Sequence, residues 1–336
     1  MKKTLAVLMA LCLLVPAVCA RAEAPFIRVD RDDMDAWKGE LDNVRFLEEE
    51  GMSGSAQFSV SQFRALAALL RERSGNVWII DCRQETHGFI NGIAVSWCGE
   101  NNGANRGKTA DMIEEEEAGL SALIGTDVTV HTARDDLPAD AGRTLTVETW
   151  QTERGLALEE DFGYLRLSCP DHGWPPAEVI DAFIEFASSL DSGAWLHFHC
   201  QAGSGRTGAF MTVYEMMRKP DAPAEDILRH QAETGSGNLV DRAAPEKSFS
   251  QKERCVLARA VSAYIRENHQ TGYALKWSEW LDAHTRTVTL AAGERLDGEG
   301  FSSDPLVVSD SLEAVGPGDA AVLAGDTVVY IHVEER

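Results

Sequence analysis

Cys200 and Arg206 are separated by Gln201, Ala202, Gly203, Ser204 and Gly205, with His199 before them and Thr207 after. A thiol and a guanidinium at this spacing suit phosphoryl transfer. A loop curled round a phosphate presents a set of amide N–H groups and one planar fork that binds two oxygens in parallel, which lysine cannot do. Gly203 and Gly205 are expected to supply the positive φ angles and close backbone approach of such a cradle. The same positive field is expected to lower the Cys200 thiol from about 8.5 toward roughly 3.5–7.5, leaving a thiolate at neutral pH. A thiolate facing a phosphate is a nucleophile for a cysteinyl-phosphate intermediate, a chemistry that needs no metal or other cofactor. By itself a cysteine ending an apolar strand is also ordinary core, and GSGRTG an ordinary glycine-rich turn. The full set of parts in one place favours the reactive reading.

The elements needed to hold these parts are visible. Ala194–His199 is an apolar run ending at the cysteine, and Phe210, Val213, Tyr214 and Met217 recur with helical spacing. Strand, tight loop and helix N-terminus together aim backbone N–H groups and a helix dipole at one point. His199-Cys200, five residues, then Arg206-Thr207 resembles the signature of the protein-tyrosine-phosphatase-like cysteine phosphatases. The resemblance implies an α/β sheet flanked by helices, with His199 orienting the loop and the Thr207 hydroxyl steadying the sulfur.

Upstream, Val77–Ile80 reads as a buried strand ending at Asp81, followed by Arg83, Gln84, Glu85 and His87. Polar residues at the end of such a strand lie where α/β folds place ligands, although a solvated loop fits the residues equally. Arg83-Gln84-Glu85-x-His87-Gly88-Phe89-x-Asn91-Gly92 resembles the corresponding stretch of the cysteine phytases, a branch of that superfamily acting on inositol polyphosphates. Asp171-His172-x-Trp174-Pro175 resembles the family segment whose aspartate is the general acid. Its residues alone also fit a turn or capping carboxylate. An inositol hydroxyl is a poor leaving group, so protonating its oxygen is worth typically about 10²–10⁴-fold. The resemblance implies substrate contacts at Arg83, His172 and Lys247, the last otherwise a surface lysine. Where the family can supply a lysine before Leu137-Pro138, this chain has Asp135 and Asp136, with Arg134 nearby as a replacement.

Composition sets the outer limits. The chain has 336 residues, 44% hydrophobic and 25% charged, and a formal net charge of −23. Nucleic acid is an unsuitable partner for such a surface, while a small inositol phosphate depends on local charge, because exposed charges beyond about 8–10 Å are screened. Lys2, Lys3, the apolar run Leu5–Val15 and Ala20-Arg21-Ala22 form a secretory leader over residues 1–22, with Val18-Cys19-Ala20 an alternative cleavage site. A periplasmic or secreted enzyme without stable membrane association is expected, an uncleaved anchor being the alternative. Loss of the leader leaves Cys82, Cys98, Cys169, Cys200 and Cys255, an odd number consistent with one free reactive thiol. Cys82 and Cys169 are candidates for a reversible bond to Cys200. Gly107-Lys108-Thr109 is no nucleotide loop, since position 102 is asparagine, and no clustered metal-ligand spacing is present.

Along the chain, residues 23–59 read as an irregular lead-in anchored by Trp37 and Phe46. A helix is expected from Ser61 to Gly75, and a hairpin at Asn91-Gly92. Glutamates 114–117 read as a solvated helix face. Asp127–Thr132, Arg143–Thr149 and Gly163–Leu167 alternate like strands of a small antiparallel element beside the main sheet. Helices are expected over Ala177–Leu190, Ala224–Glu233 and Gln251–Glu267, with Trp277 and Trp280 matching the family's terminal helix. The expected phosphatase domain spans 23–284, and strands near Thr285–Leu290 and Ala321–Val333 form an extension over 285–336 without assigned role. A tyrosine or dual-specificity phosphatase and a non-catalytic inositol-phosphate binder are the competing functions; oligomeric state is open.

Overall fold

The computed structural model describes residues 25–30, 40–99, 102–134 and 137–335. The leader expected at 1–22, Trp37, Asp135 and Asp136 lie outside the described residues. The central sheet has the order Gly163–Arg166, Val77–Asp81, Trp195–His199, Met52–Ser55 and Arg45–Leu47. Its first four strands run parallel and the last is antiparallel. Trp195–His199 is therefore central, with Val77–Asp81 beside it in the register His199↔Asp81. Two-residue alternation sorts its side chains. Leu196 and Phe198 enter one core with Phe183, Phe210 and Trp277, while Trp195 enters the opposite core with Phe58, Phe63 and Leu70. A strand buried on both faces reads as a continuous apolar run, and this one carries His197 and His199 within it.

The helix Val60–Arg73 starts where Ser59 and Gln62 exchange the two hydrogen bonds of a capping box. Asn91 and Gly92, both at positive φ, make the expected two-residue turn between His87–Ile90 and Ile93–Cys98. The helices Ala177–Ser189, Gly205–Arg218, Ala224–Glu233 and Arg254–Asn268 agree with their apolar spacing. Mixed α/β architecture with sheets flanked by helices is thus the fold.

Three expectations are corrected. Residues 23–59 are not an irregular lead-in. They supply Phe26–Val29 to a six-stranded sheet and Arg45–Leu47 and Met52–Ser55 to the central one. Met-Ser-Gly-Ser has no β-branched residue to advertise a strand, yet all four residues are buried. Gly163–Arg166 belongs to the central sheet, parallel to Val77–Asp81, and not to the small antiparallel element. Alternation reports a half-buried strand without saying which sheet it joins. The six-stranded sheet instead takes Arg143–Thr146, Asp127–His131, Phe26–Val29, the 87–98 hairpin and Trp150–Gln151. Finally, of glutamates 114–117, Glu115 and Glu116 are exposed as expected, but Glu117 is buried in the helix Ala110–Gly119 and accepts both Nη1 contacts of Arg166 at 2.8 Å.

Gly88 lets two neighbouring strands of the six-stranded sheet, His87–Ile90 and Trp150–Gln151, approach closely. A Cβ there would lie 2.6 Å from the Trp150 ring and 2.9 Å from the Gln151 carbonyl. Gly88→Ala is expected to destabilise the fold by about 1–3 kcal/mol through overpacking, measured by urea unfolding.

Candidate active site

Between strand and helix, five successive carbonyls are turned away from the loop centre and each meets a donor. Gln57 N donates to Gln201 O at 3.1 Å, and Gly208 N and Gly237 N both donate to Ser204 O at 3.0 Å. Asn43 Nδ2 donates to Ala202 O at 2.7 Å, Arg45 Nη1 to Gly203 O at 2.9 Å and Arg254 Nη2 to Gly205 O at 3.5 Å. Among the described residues, none of the amides of residues 201–206 donates to a backbone carbonyl. Outward carbonyls with inward, unspent N–H groups are the geometry of an anion nest. Gly203 has φ +73°, and a Cβ there would lie 2.4 Å from the Ser55 and Ala56 backbone. Gly205, by contrast, has no positive φ and opens the helix Gly205–Arg218, so only Gly203 needs the freedom expected of both.

Cys200 is buried at the strand end. Thr207 is fully buried and its Oγ1 has no hydrogen-bond partner, which leaves its donor available at the loop. His199 lies beneath the loop, its ring 4.9 Å from that of Phe58 and its Nε2 against Glu153. Its carbonyl accepts Cys82 N–H at 3.0 Å, so His199 fixes the strand end from which the loop springs. Arg45 is drawn down to about 10 by burial, against the opposing pull of Cys200.

Arg206 reaches back from the helix under the loop. Its Nη1 and Nη2 donate to the two Glu85 oxygens at 2.6 and 2.9 Å, and Nη2 also donates to Asp171 Oδ2 at 3.2 Å. Its Nε has no partner. Burial opposes the guanidinium charge, but Glu85 and Asp171 outweigh it and hold its pKa well above the usual value. Glu85 is held well below the carboxylate range by Arg206 and Arg83 despite complete burial. The sequence placed Glu85 in a polar cluster without this role. A glutamate two residues after a strand-terminal arginine carries no signal of its own.

Arg83 is corrected. It is fully buried and bonds Glu85 Oε1 at 2.9 Å, Asp30 Oδ2 at 2.8 Å and Gln57 Oε1 at 2.6 Å. In this structure its fork is committed to Asp30, Glu85 and Gln57, and it holds Glu85 for Arg206. Asp171 accepts Asn102 Nδ2 at 2.9 Å as well as Arg206. Burial pushes its carboxyl up, but Arg206 and Asn102 outweigh that and hold it below its ordinary value. His172, exposed and at φ 66°, follows it on the rim. Lys247 is exposed and shares a cleft of about 130 Å³ with Gln251 and Arg254. Arg134 lies in the short strand Ala133–Arg134 paired with Leu137–Pro138, away from the loop in sequence and in a separate ladder.

Arg254 was missed. Its Nε has no partner, and its guanidinium is pulled down by burial and supported by Cys169, Asp171 and Cys200. It therefore brings a further cation to the loop. At the sequence level it was one arginine at a helix start.

Cys82, Cys169 and Cys200 are unbridged thiols and share one core cluster. Burial pushes the Cys169 thiol up to about 12 and Cys82 well above its usual value. Among the described residues, two groups of side chains have donor atoms close enough for a metal ion: Asp81, His87 and Glu153, and Glu50, Glu215 and His230. In the first, His87 Nε2 lies 3.4 Å from Asp81 and 3.3 Å from Glu153. Despite burial, Asp81 raises the imidazole's pKa, which fits a charged ring between carboxylates. In the second, the Lys219 ammonium already bridges Glu50 and Glu215.

A family model described as PTP-like phytase, inositol hexakisphosphate, matches residues 80–218. The PTP-like myo-inositol phosphatase of Mitsuokella multacida, solved in complex with myo-inositol-(1,3,4,5)-tetrakisphosphate, is similar at 31% identity and TM-score 0.71, covering 78% of this chain and 49% of that one. A PTP-like phytase from Bdellovibrio bacteriovorus is similar at 27% identity and TM-score 0.63, covering 77% of this chain and 95% of that one. Effector protein hopD2 of Pseudomonas syringae pv. tomato is 25% identical over 233 residues, 66% of this chain and 49% of that protein. The chain thus spans about half the length of the Mitsuokella and Pseudomonas relatives.

Acid pH tests the charged layer. Asp30, Glu85 and Glu153 all have lowered pKa values in the fold, so the stability they give is present above their unfolded values and lost as pH falls through the folded ones. Urea stability is expected to hold from neutral pH to about pH 5 and to fall progressively below about pH 4. Glu85→Gln, which leaves Arg206 and Arg83 short of a charge, is expected to cost about 3 kcal/mol at neutral pH and to flatten that acid slope.

Proposed function

We propose that this chain, which the PTP-like phytase family model matches over residues 80–218 and which is similar in structure to PTP-like phytases, hydrolyses phosphomonoesters of myo-inositol polyphosphates, inositol hexakisphosphate first among them. The observation that carries this reading is the loop itself: outward carbonyls, inward amides, Cys200 at its mouth and a buried guanidinium behind it. That a relative is solved with an inositol tetrakisphosphate supports the substrate class.

In the proposed reaction the phosphate occupies the nest, bound by the amides of residues 201–206 and by Arg206. The Cys200 sulfur attacks phosphorus while the bond from phosphorus to the inositol oxygen breaks. Asp171 gives that oxygen its proton. Water then attacks the cysteinyl-phosphate, Asp171 takes a proton back, and sulfur leaves with its electron pair. Catalysis rests on positioning and on charge already in place when the loose transition state forms.

Arg206 ties the acid to the substrate. Beside Arg206 the Asp171 carboxyl is held ionised, the wrong state for an acid. A bound phosphate draws on the same guanidinium and adds negative charge next to Asp171, which raises the carboxyl pKa and lets it carry a proton. The remaining phosphates fall to Arg254, Lys247 and His172 at the rim. Export through the leader at residues 1–22 completes the proposal, placing the enzyme where it meets free inositol phosphates.

Digests of inositol hexakisphosphate followed by ion chromatography test this. Cys200→Ser is expected to abolish phosphate release. Asp171→Asn is expected to lower kcat by about 10²–10⁴-fold, with a much smaller loss on p-nitrophenyl phosphate, whose leaving group needs no proton. If the wild-type chain binds inositol hexakisphosphate yet releases no more phosphate than Cys200→Ser, it is a binder and not an enzyme.

A further inference from the structure

The C-terminal residues form a four-stranded sheet in the order Thr285–Leu290, Thr327–Val333, Gly318–Ala324 and Phe301–Ser302. It has its own core around Val308, Leu312, Val322 and Ile331. It is not independent of the rest, for Ala321 and Val328 join the main core. Several of its charged and aromatic contacts fall on one stretch, residues 238–254, which carries Lys247 and Arg254, and the Phe301 ring also meets Arg259 at 3.8 Å.

Residues 238–248 contain neither helix nor strand, so their course is set by what holds them. Just upstream, Gly237 N donates to Ser204 O at 3.0 Å, tying the stretch to the phosphate loop. In the middle, Arg242 Nη2 donates to both Asp310 oxygens at 2.7 Å and Nε donates to Ser302 O at 2.7 Å. The same guanidinium lies 4.4 Å from the centre of the Phe301 ring. At the end, Lys252 pairs with the mostly buried Asp304 at 2.6 Å, and the Phe249 ring is 6.0 Å from that of Tyr330. Lys247 stands midway between these two clamps, five residues from each. Arg242 is held at two nitrogens and over a ring, Nη2 on Asp310 and Nε on Ser302 O, and the second pair is largely buried, so both contacts hold position.

We propose that the C-terminal sheet is a brace for substrate binding, in which Asp310 and Asp304, through the positioning residues Arg242 and Lys252, hold Lys247 in the cleft it shares with Arg254, while Arg254 stays tied to the loop by Gly205 O. This deepens the inositol-phosphate reading and rests on it. A single small phosphoryl group needs only the loop, whereas a polyphosphate also needs the braced rim. The brace therefore sets KM for polyphosphorylated substrates and leaves the sulfur chemistry alone.

The test uses the full chain with Arg242→Ala and Asp310→Asn. KM for inositol hexakisphosphate is expected to rise roughly 5-fold in each, with kcat/KM on p-nitrophenyl phosphate within about 2-fold of wild type. The charge-swapped pair Arg242→Glu with Asp310→Arg is expected to bring KM back toward wild type. An unchanged KM, or a parallel loss on both substrates that follows a lowered melting temperature, overturns the brace. Hydrogen exchange separates it from the substrate reading: amides of residues 238–254 are expected to exchange faster in Arg242→Ala. Unchanged exchange there overturns the brace even when the wild-type chain releases no inositol phosphate.

Discussion

The Arg206–Glu85 pair is the interaction on which the site depends. A guanidinium buried beneath a loop of inward amides supplies the fixed positive charge that a phosphate needs, and burial makes that charge costly unless it is matched. Glu85 matches it with both oxygens, and Arg83, bonded to Asp30 and Gln57, in turn holds Glu85. Arg206 keeps only Nε without a partner, so an anion in the loop would share the guanidinium with Glu85 and Asp171. Arg83 shows how a residue can matter to an anion site through the carboxylate it holds.

The same arrangement shows how an acidic protein can hold cationic groups at one site. The net charge of −23 is spread over the whole chain. Inside, arginines and carboxylates alternate at the junction of the central and six-stranded sheets. Arg166, for one, is shared between Glu117 and the backbone carbonyls of Arg83 and Glu85. At the loop Arg254 and the unspent amides add donors beside an Arg206 whose charge is already met by Glu85 and Asp171. Surface charge at a distance is screened, while a field inside a dry site is not.

The described residues also divide the labour between rigid and adjustable parts. The loop is fixed by bonds to every one of its carbonyls, as catalysis by preorganised dipoles requires. The rim is irregular chain whose position is borrowed from neighbouring elements. Asp171 stands between them, bonded to Asn102 on one side and Arg206 on the other, so its proton affinity follows whatever occupies the loop.

The sequence alone determined the chemistry that lies close together in the chain. Cys200, Gly203, Arg206 and Thr207 fall within one strand–loop–helix, and local spacing dictates their geometry. The long helices and the Asn91-Gly92 turn were legible for the same reason, being set by periodicity and backbone preference over a few residues. Tertiary structure decided the rest. It put Met52–Ser55 in the central sheet without strand-like residues, drew Gly163–Arg166 to the other edge, buried Glu117, and turned Arg83 from a substrate contact into a support. It also chose Glu85, Asn102 and Arg254 as neighbours of the loop. These outcomes depend on which charges meet across elements distant in sequence, and a buried charge takes its role from its partner rather than from its place in the chain.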